Sequence, residues 1–97
     1  MTAFSYLADH IPVRKDLKFR IEDNIGIVCN ANDFRVDFLN ETATTVFQLI
    51  DGKKNVSDIV QCFLEKVDVS RDVFEQDLIE ILRNFQWQKL IAMKQNL

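Results

Sequence analysis

The chain has few of the residues that interrupt regular structure: two glycines and one proline among 97 residues. Long irregular segments are excluded inside the folded part, because Gly and Pro supply many of the backbone angles that loops need. Cysteine and histidine are equally scarce. Cys29 and Cys62 are isolated, no Cys-x-x-Cys pair exists, and the one histidine, His10, is remote from both. A metal site is therefore not expected, and both cysteines read as reduced, small apolar fillers. No apolar run approaches the roughly 20 residues that a bilayer span needs. Met1 to Leu7 lacks the basic start and apolar run of a signal peptide. The expectation is a cytoplasmic protein with no membrane partner. Positive charge is not in excess either. Twelve Lys and Arg stand against fifteen Asp and Glu, a formal net charge of −3. That is the wrong sign for a nucleic-acid binder, whose affinity comes from cations displacing counterions from phosphate. There is no Gly-rich phosphate loop and no nucleophile elbow. His10 has no evident partner for acid–base work. No catalytic residue, no metal and no cofactor are expected.

What the chain does have is apolar content, 47% of residues, with eight phenylalanines and one tryptophan. One globular domain with an aromatic core follows. Residues 1–12 read as an N-terminal arm, because Phe4, Tyr6, Leu7 and Ile11 follow no clear period. Pro12 marks the end of the arm, and residues 13–97 form the domain. Leu17 to Glu22 alternates with period two, and Asp23-Asn24 supplies a turn. Ile25 to Cys29 is a short apolar run interrupted by Gly26. Asn30 to Asp33 is a second turn, and Phe34 to Leu39 alternates again. The reading is a three-stranded antiparallel meander.

The period then becomes helical. Asn40 is a good N-cap, and Ala43, Val46, Phe47 and Ile50 share one helix face. Asp51-Gly52 ends that helix, with Gly52 suited to a left-handed C-terminal position. Asn55 and Asp58 have capping-box spacing ahead of the stripe Val56, Ile59, Val60, Phe63 and Val67. Ser70 is the expected N-cap of a third helix, whose apolar set is Val73, Phe74, Leu78, Ile81, Leu82 and Phe85. Leu90 to Met93 is apolar enough to pair or pack. The fold class is α+β, winged-helix-like, with an N-terminal three-stranded antiparallel sheet followed by three helices.

Leu39-Asn40-x-Thr42-Ala43, a short apolar helix, Asp51-Gly52 and then Val56-x-x-Ile59-Val60 form a pattern with a recognisable order. The sequence resembles the PqqD-like peptide chaperones, the recognition elements that hold leader peptides during maturation of ribosomally made natural products. The resemblance runs from about Pro12 to Met93. It departs from the family near the end. Many members close with Leu-x-x-x-Gly and an apolar residue, whereas this chain has Phe85-Gln86-Trp87-Gln88-Lys89-Leu90-Ile91.

The resemblance implies a binder with no chemistry of its own, which takes the leader segment of a precursor peptide as an extra strand. The cleft would lie between the third strand and the third helix. Phe34, Arg35, Val36, Asp37 and Phe38 would form its strand wall, and Val73, Phe74, Asp77, Leu78, Ile81 and Phe85 its helix wall. An open strand edge can pair with an extended peptide, and pockets beside it can read alternate side chains. The same residues also admit a core role, above all Phe74 and Phe85. Trp87 fits either a core cover or a partner contact. The implied partners are a precursor peptide and a tailoring enzyme such as a radical SAM enzyme, a cyclase or a leader peptidase. Free edges and aromatics also allow a homodimer. Two other readings stand beside this one. The first is a winged-helix DNA-binding regulator, disfavoured by Asp72, Glu75, Asp77 and Glu80 on the third helix. The second is an interaction module of a larger assembly that holds no peptide.

Overall fold

The structure is a computed structural model that describes residues 3–30 and 34–95. Its element order is α1 (Ala3–Leu7), β1 (Ile11–Arg14), β2 (Lys18–Glu22), β3 (Ile25–Asn30), β4 (Arg35–Leu39), α2 (Glu41–Leu49), α3 (Val56–Lys66), α4 (Arg71–Trp87) and β5 (Ile91–Lys94). The expected α+β arrangement is present: an antiparallel sheet in the order β2-β3-β4, then three helices. The winged-helix likeness is loose, because the sheet precedes the helices. Of the turn expected before β4, residues 31–33 lie outside the described part.

The meander follows from its turn chemistry. Asp23 and Asn24 both hold positive φ, 51° and 66°. These are the angles of a two-residue type I′ hairpin, and Asp and Asn tolerate them well. Glu22 then faces Ile25, and the ladder continues to Lys18 opposite Cys29. Next to the hairpin, Gly26 leaves room for α2. A Cβ there would lie 2.8 Å from the Thr44 hydroxyl and 2.9 Å from the Phe19 ring. The Gly26 N–H donates to Thr44 Oγ1 at 2.7 Å, and that hydroxyl donates to the Leu39 carbonyl at 3.1 Å. One buried threonine thus fastens α2 to both β3 and β4.

The caps place the helices. Asn40 accepts the Ala43 N–H at 2.8 Å. The capping box of Asn55 and Asp58 is formed in both directions. Ser70 occupies the N-cap position of α4, but its side chain makes no capping bond. Gly52 takes φ +78°, two residues beyond the C-cap Ile50. The C-terminus of α4 answers the question raised by the missing glycine. Leu90 N–H donates to the Phe85 carbonyl at 2.8 Å and Lys89 N–H to the Gln86 carbonyl at 3.0 Å. This is the Schellman pair of bonds, and Lys89 holds the left-handed position with φ 62°.

The segment read as an arm contributes α1 and the start of β1. α1 packs on α4. β1 pairs antiparallel with β5, Ile11 opposite Lys94 and Arg14 opposite Ile91. Pro12 sits inside this two-stranded ribbon, where a missing N–H is tolerated at an edge. The connection from α1 to β1 also completes α3. Val56 and Ser57 donate their N–H groups to the carbonyls of His10 and Ala8, at 2.9 and 3.1 Å. Two donors that a helix start normally leaves without a partner are satisfied from fifty residues upstream.

The core joins sheet and helices through aromatic rings. Phe47 is fully buried and meets Phe19 and Phe85 edge-on, at centroid distances of 4.9 and 5.4 Å. Phe63 stacks on Phe74 at 3.8 Å. The Arg14 guanidinium lies 4.6 Å from the Phe47 centroid and donates to the Phe47 carbonyl through Nε and Nη2, at 3.1 and 2.6 Å.

Two substitutions test this account in a denaturant melt. Gly26→Ala should cost about 1–3 kcal/mol, because the Thr44 hydroxyl that the new methyl meets is held by two hydrogen bonds. Lys89→Gly should stabilise by about 1 kcal/mol, by removing a Cβ from a left-handed position. A loss of stability at Lys89→Gly would contradict the Schellman assignment.

Candidate functional site

The sheet has an open edge on β4, and the hydrogen-bond pattern shows which residues hold it. Glu22 and Ile25 flank the tight hairpin, so they form a hydrogen-bonded pair. Alternation along an antiparallel ladder then turns Ile27 and Cys29 toward β2, and Val28 and Asn30 toward β4. Their partners on β4 are Asp37 and Arg35. The backbone groups of Val36 and Phe38 therefore project from the free edge, toward the side where α4 runs.

Three hollows run along α4 as a groove, the first beside this edge and the other two beyond the end of β4. The first, about 270 Å³, is lined among others by Phe38, Ala43, Ile81, Trp87 and Gln88. The second, about 290 Å³, is lined by Asn40, Thr42, Asp77, Glu80, Ile81 and Asn84. The third, about 90 Å³, lies between the α3–α4 connection and α4, with Val67, Val69, Val73 and Phe74 among its walls. Shared residues make them continuous: Ile81 and Asn84 line the first two, Thr42 and Asp77 the last two. On α4 the lining positions 73, 77, 80–81, 84 and 87–88 follow helical spacing, so a single stripe of the helix forms one wall.

Alternation places Phe34, Val36 and Phe38 opposite Arg35 and Asp37 without saying which set faces the helices, and the structure decides it. Val36 and Phe38 face outward, 49% and 70% exposed, and Phe34 precedes the strand at 91% exposure with φ 56°. Arg35 and Asp37 are the half-buried pair on the helix side. They stay there because each finds a partner. Arg35 Nε donates to Asp37 Oδ2 at 2.9 Å, and Arg35 Nη2 donates to the Gln88 carbonyl. Gln88 Nε2 donates back to Asp37 Oδ1 at 3.4 Å. This network fastens the start of β4 to the end of α4 and closes one end of the groove.

The helix wall divides as well. Phe74, Leu78 and Phe85 are buried at 2%, 0% and 2% exposure. They are chiefly core, held by Phe63, by α3 and by Phe47, and they reach the groove only at its floor. Val73 and Asp77 are exposed, and Ile81 is half-buried. The structure thus brings Phe38, Val73, Phe74, Asp77, Ile81 and Phe85 to the groove. Leu78 lies beneath it. Val36 offers backbone at the edge, and Arg35 and Asp37 form the closed end. Sequence reasoning missed Asn40, Thr42, Ala43, Glu80 and Asn84, and left Trp87 undecided. Trp87 is 88% exposed and lines the first hollow. The α4 stripe through Asp77, Ile81 and Asn84 was a signal that could have found Glu80 and Asn84.

Among the described residues there is no group of His, Cys, Asp and Glu that could hold a metal ion, and no helix long and apolar enough to cross a membrane. His10 packs on Tyr6, at a centroid distance of 5.4 Å.

Fold and groove together define a small α+β domain with an open sheet edge facing a helix. Residues 37–91, more than half of the chain, match the family described as coenzyme PQQ synthesis protein D (PqqD), and the chain belongs to that family. Among solved structures it is similar to TbiB1 in complex with the TbiA(beta) leader peptide. The TM-score is 0.74 at 18% identity, covering 82% of this chain and 94% of that one. No curated protein matches.

The network at the closed end can be tested directly. Arg35→Met removes the bonds to Asp37 and to the Gln88 carbonyl and should cost about 1 kcal/mol. Amide hydrogen exchange should quicken at Asp37 and at Lys89 to Ile91, and stay unchanged in α3. Unchanged exchange at both termini of the network would show that it holds nothing together.

Proposed function

We propose that this protein binds the leader segment of a ribosomally synthesised precursor peptide as a fourth strand on β4 and presents it to a modifying enzyme. The observation that carries this reading is the unpaired edge at Val36 and Phe38, placed beside a groove with hollows for side chains. Extended peptides bind such edges through main-chain hydrogen bonds and gain specificity from pockets that take alternate residues. Membership of the PqqD family supports the reading, and so does the likeness of fold to TbiB1, which is seen with a leader peptide.

In this reading the protein performs no reaction itself. The tailoring enzyme, whether a radical SAM enzyme, a cyclase or a leader peptidase, meets the complex on the outward face of the sheet. There Ile27 pairs with Phe38 and Cys29 with Val36, beside the exposed Ile25. A homodimer would use the same apolar strip of β3 and β4, which Lys18, Arg20 and Glu22 of β2 border. The setting is cytoplasmic, in keeping with two free thiols. A DNA-binding role is not supported: Asp72, Glu75, Asp77 and Glu80 would set α4 against phosphate.

The test is titration with the leader of a short precursor encoded beside this gene. Trp87 is the chain's one tryptophan and lines the groove. Its fluorescence should change with a nanomolar to micromolar midpoint, and amide shifts should cluster at Val36 to Asn40 and along the exposed stripe of α4. Ile81→Ala and Trp87→Ala should each weaken binding by about 1–3 kcal/mol with unchanged far-ultraviolet dichroism. Duplex DNA should not compete. Shifts confined to α3 or α1 would place the peptide elsewhere.

A further inference from the structure

The groove carries its apolar side chains at its two ends and carboxylates in the middle. Phe38, Ala43, Ile81 and Trp87 line one end beside the neutral Asn40, Asn84 and Gln88, and Val67, Val69, Val73 and Phe74 line the other, with Asp77 at its inner margin. Between them the second hollow presents the carboxylates of Asp77 and Glu80 beside the neutral polar groups of Asn40, Thr42 and Asn84. Both acids are exposed. Neither has an ion-pair or hydrogen-bond partner among the described residues. The nearest cations in sequence do not compensate them. Arg71 bridges Glu75 at 3.0 Å, and Arg83 lines none of the three hollows.

The spacing of the hollows matches an extended chain. The α4 residues that line them centre near positions 85, 80 and 75, so neighbouring hollows lie roughly 7–9 Å apart along a helix rising about 1.5 Å per residue. Side chains on one face of a strand repeat at about 6.7 Å. A peptide laid along α4 therefore offers residue i to the first hollow, i+2 to the second and i+4 to the third. The direction also fits. The first hollow touches Phe38 and Leu39, the second Asn40 and Thr42, the third Thr42. The wall opposite α4 thus passes from the strand edge to the start of α2 along the same line.

We infer that the groove selects a peptide segment with a cationic side chain, Lys or Arg, flanked two residues away on each side by an apolar side chain. This rests on the leader-peptide reading and specifies its ligand. The apolar ends supply burial. The two carboxylates discriminate against an acidic residue at the centre, because a third negative charge there would be repelled.

The experiment is selection of a displayed random nonapeptide library against the purified protein, run in parallel with Asp77→Lys/Glu80→Lys and with the milder Asp77→Asn/Glu80→Gln. Both positions are exposed, so the variants should keep the wild-type dichroism spectrum. Wild type should enrich Lys or Arg at the centre of two apolar residues. The charge-reversed variant should enrich Asp or Glu at that position, and the neutral variant should show no charge preference. A selected Lys peptide should bind wild type about tenfold more tightly than its Glu counterpart at low salt, as expected for two exposed ion pairs, and the gap should narrow at high salt. Enriched peptides that pack both ends with no charge preference at the centre would overturn this inference and leave the leader-peptide reading standing. No enrichment of any peptide would overturn both.

Discussion

Phe47 is the residue on which the rest of the structure depends. It is fully buried on α2 and touches three separately built parts of the chain: Phe19 of the sheet, Phe85 of α4 and Arg14 of the β1–β5 ribbon. Edge-on ring contacts add directionality to apolar burial, since the positive rim of one ring meets the negative face of another. Arg14 adds a charge over the ring and two hydrogen bonds to the Phe47 carbonyl. Burial lowers the Arg14 pKa and Asp51 acts against that shift. A guanidinium stays charged under either influence.

The groove inherits its width from this arrangement. One wall is the edge of a sheet registered on Phe47 through Phe19, and the other is a helix registered on it through Phe85. Thr44, one turn before Phe47, fastens the same helix to the sheet through Gly26 and Leu39. At one end the network of Arg35, Asp37 and Gln88 sets the separation of the walls. The backbone of the groove is therefore held by the fold itself, and a strand added as proposed would lose its own freedom without having to order its receptor. Pre-organisation of this kind raises affinity by lowering the entropic cost of binding.

Much of the fold was legible because its signals are local. The Asp23-Asn24 turn, the alternation of β2 and β4, the Asn40 cap and the Asn55–Asp58 box each act within a few residues, and each is present. The β1–β5 ribbon was not legible, because two four-residue strands some eighty positions apart leave no period in either segment. α1 is only five residues long, too short for an amphipathic pattern. In the candidate site, period was readable but phase was not. Alternation says that Arg35 and Asp37 oppose Val36 and Phe38, and only the carbonyl of Gln88, fifty residues away, decides which pair turns inward. Phe74 and Phe85 could equally have lined a groove or filled a core until Phe63 and Phe47 were seen against them. The exit of α4 carries the same lesson: the family's glycine is absent, yet Lys89 adopts the glycine conformation and the turn survives.

Pairing of β1 with β5 brings two strands from opposite parts of the chain to one place, with Ile11 directly opposite Lys94, while α1 continues past the pair onto α4. Topologically the domain is a ring closed by a clasp of non-covalent bonds, and the groove, built from residues 38 to 88, hangs inside that ring. A cut at the Asp23-Asn24 hairpin would fall outside the groove's stretch of sequence, and the clasp would still tie the two pieces to one another.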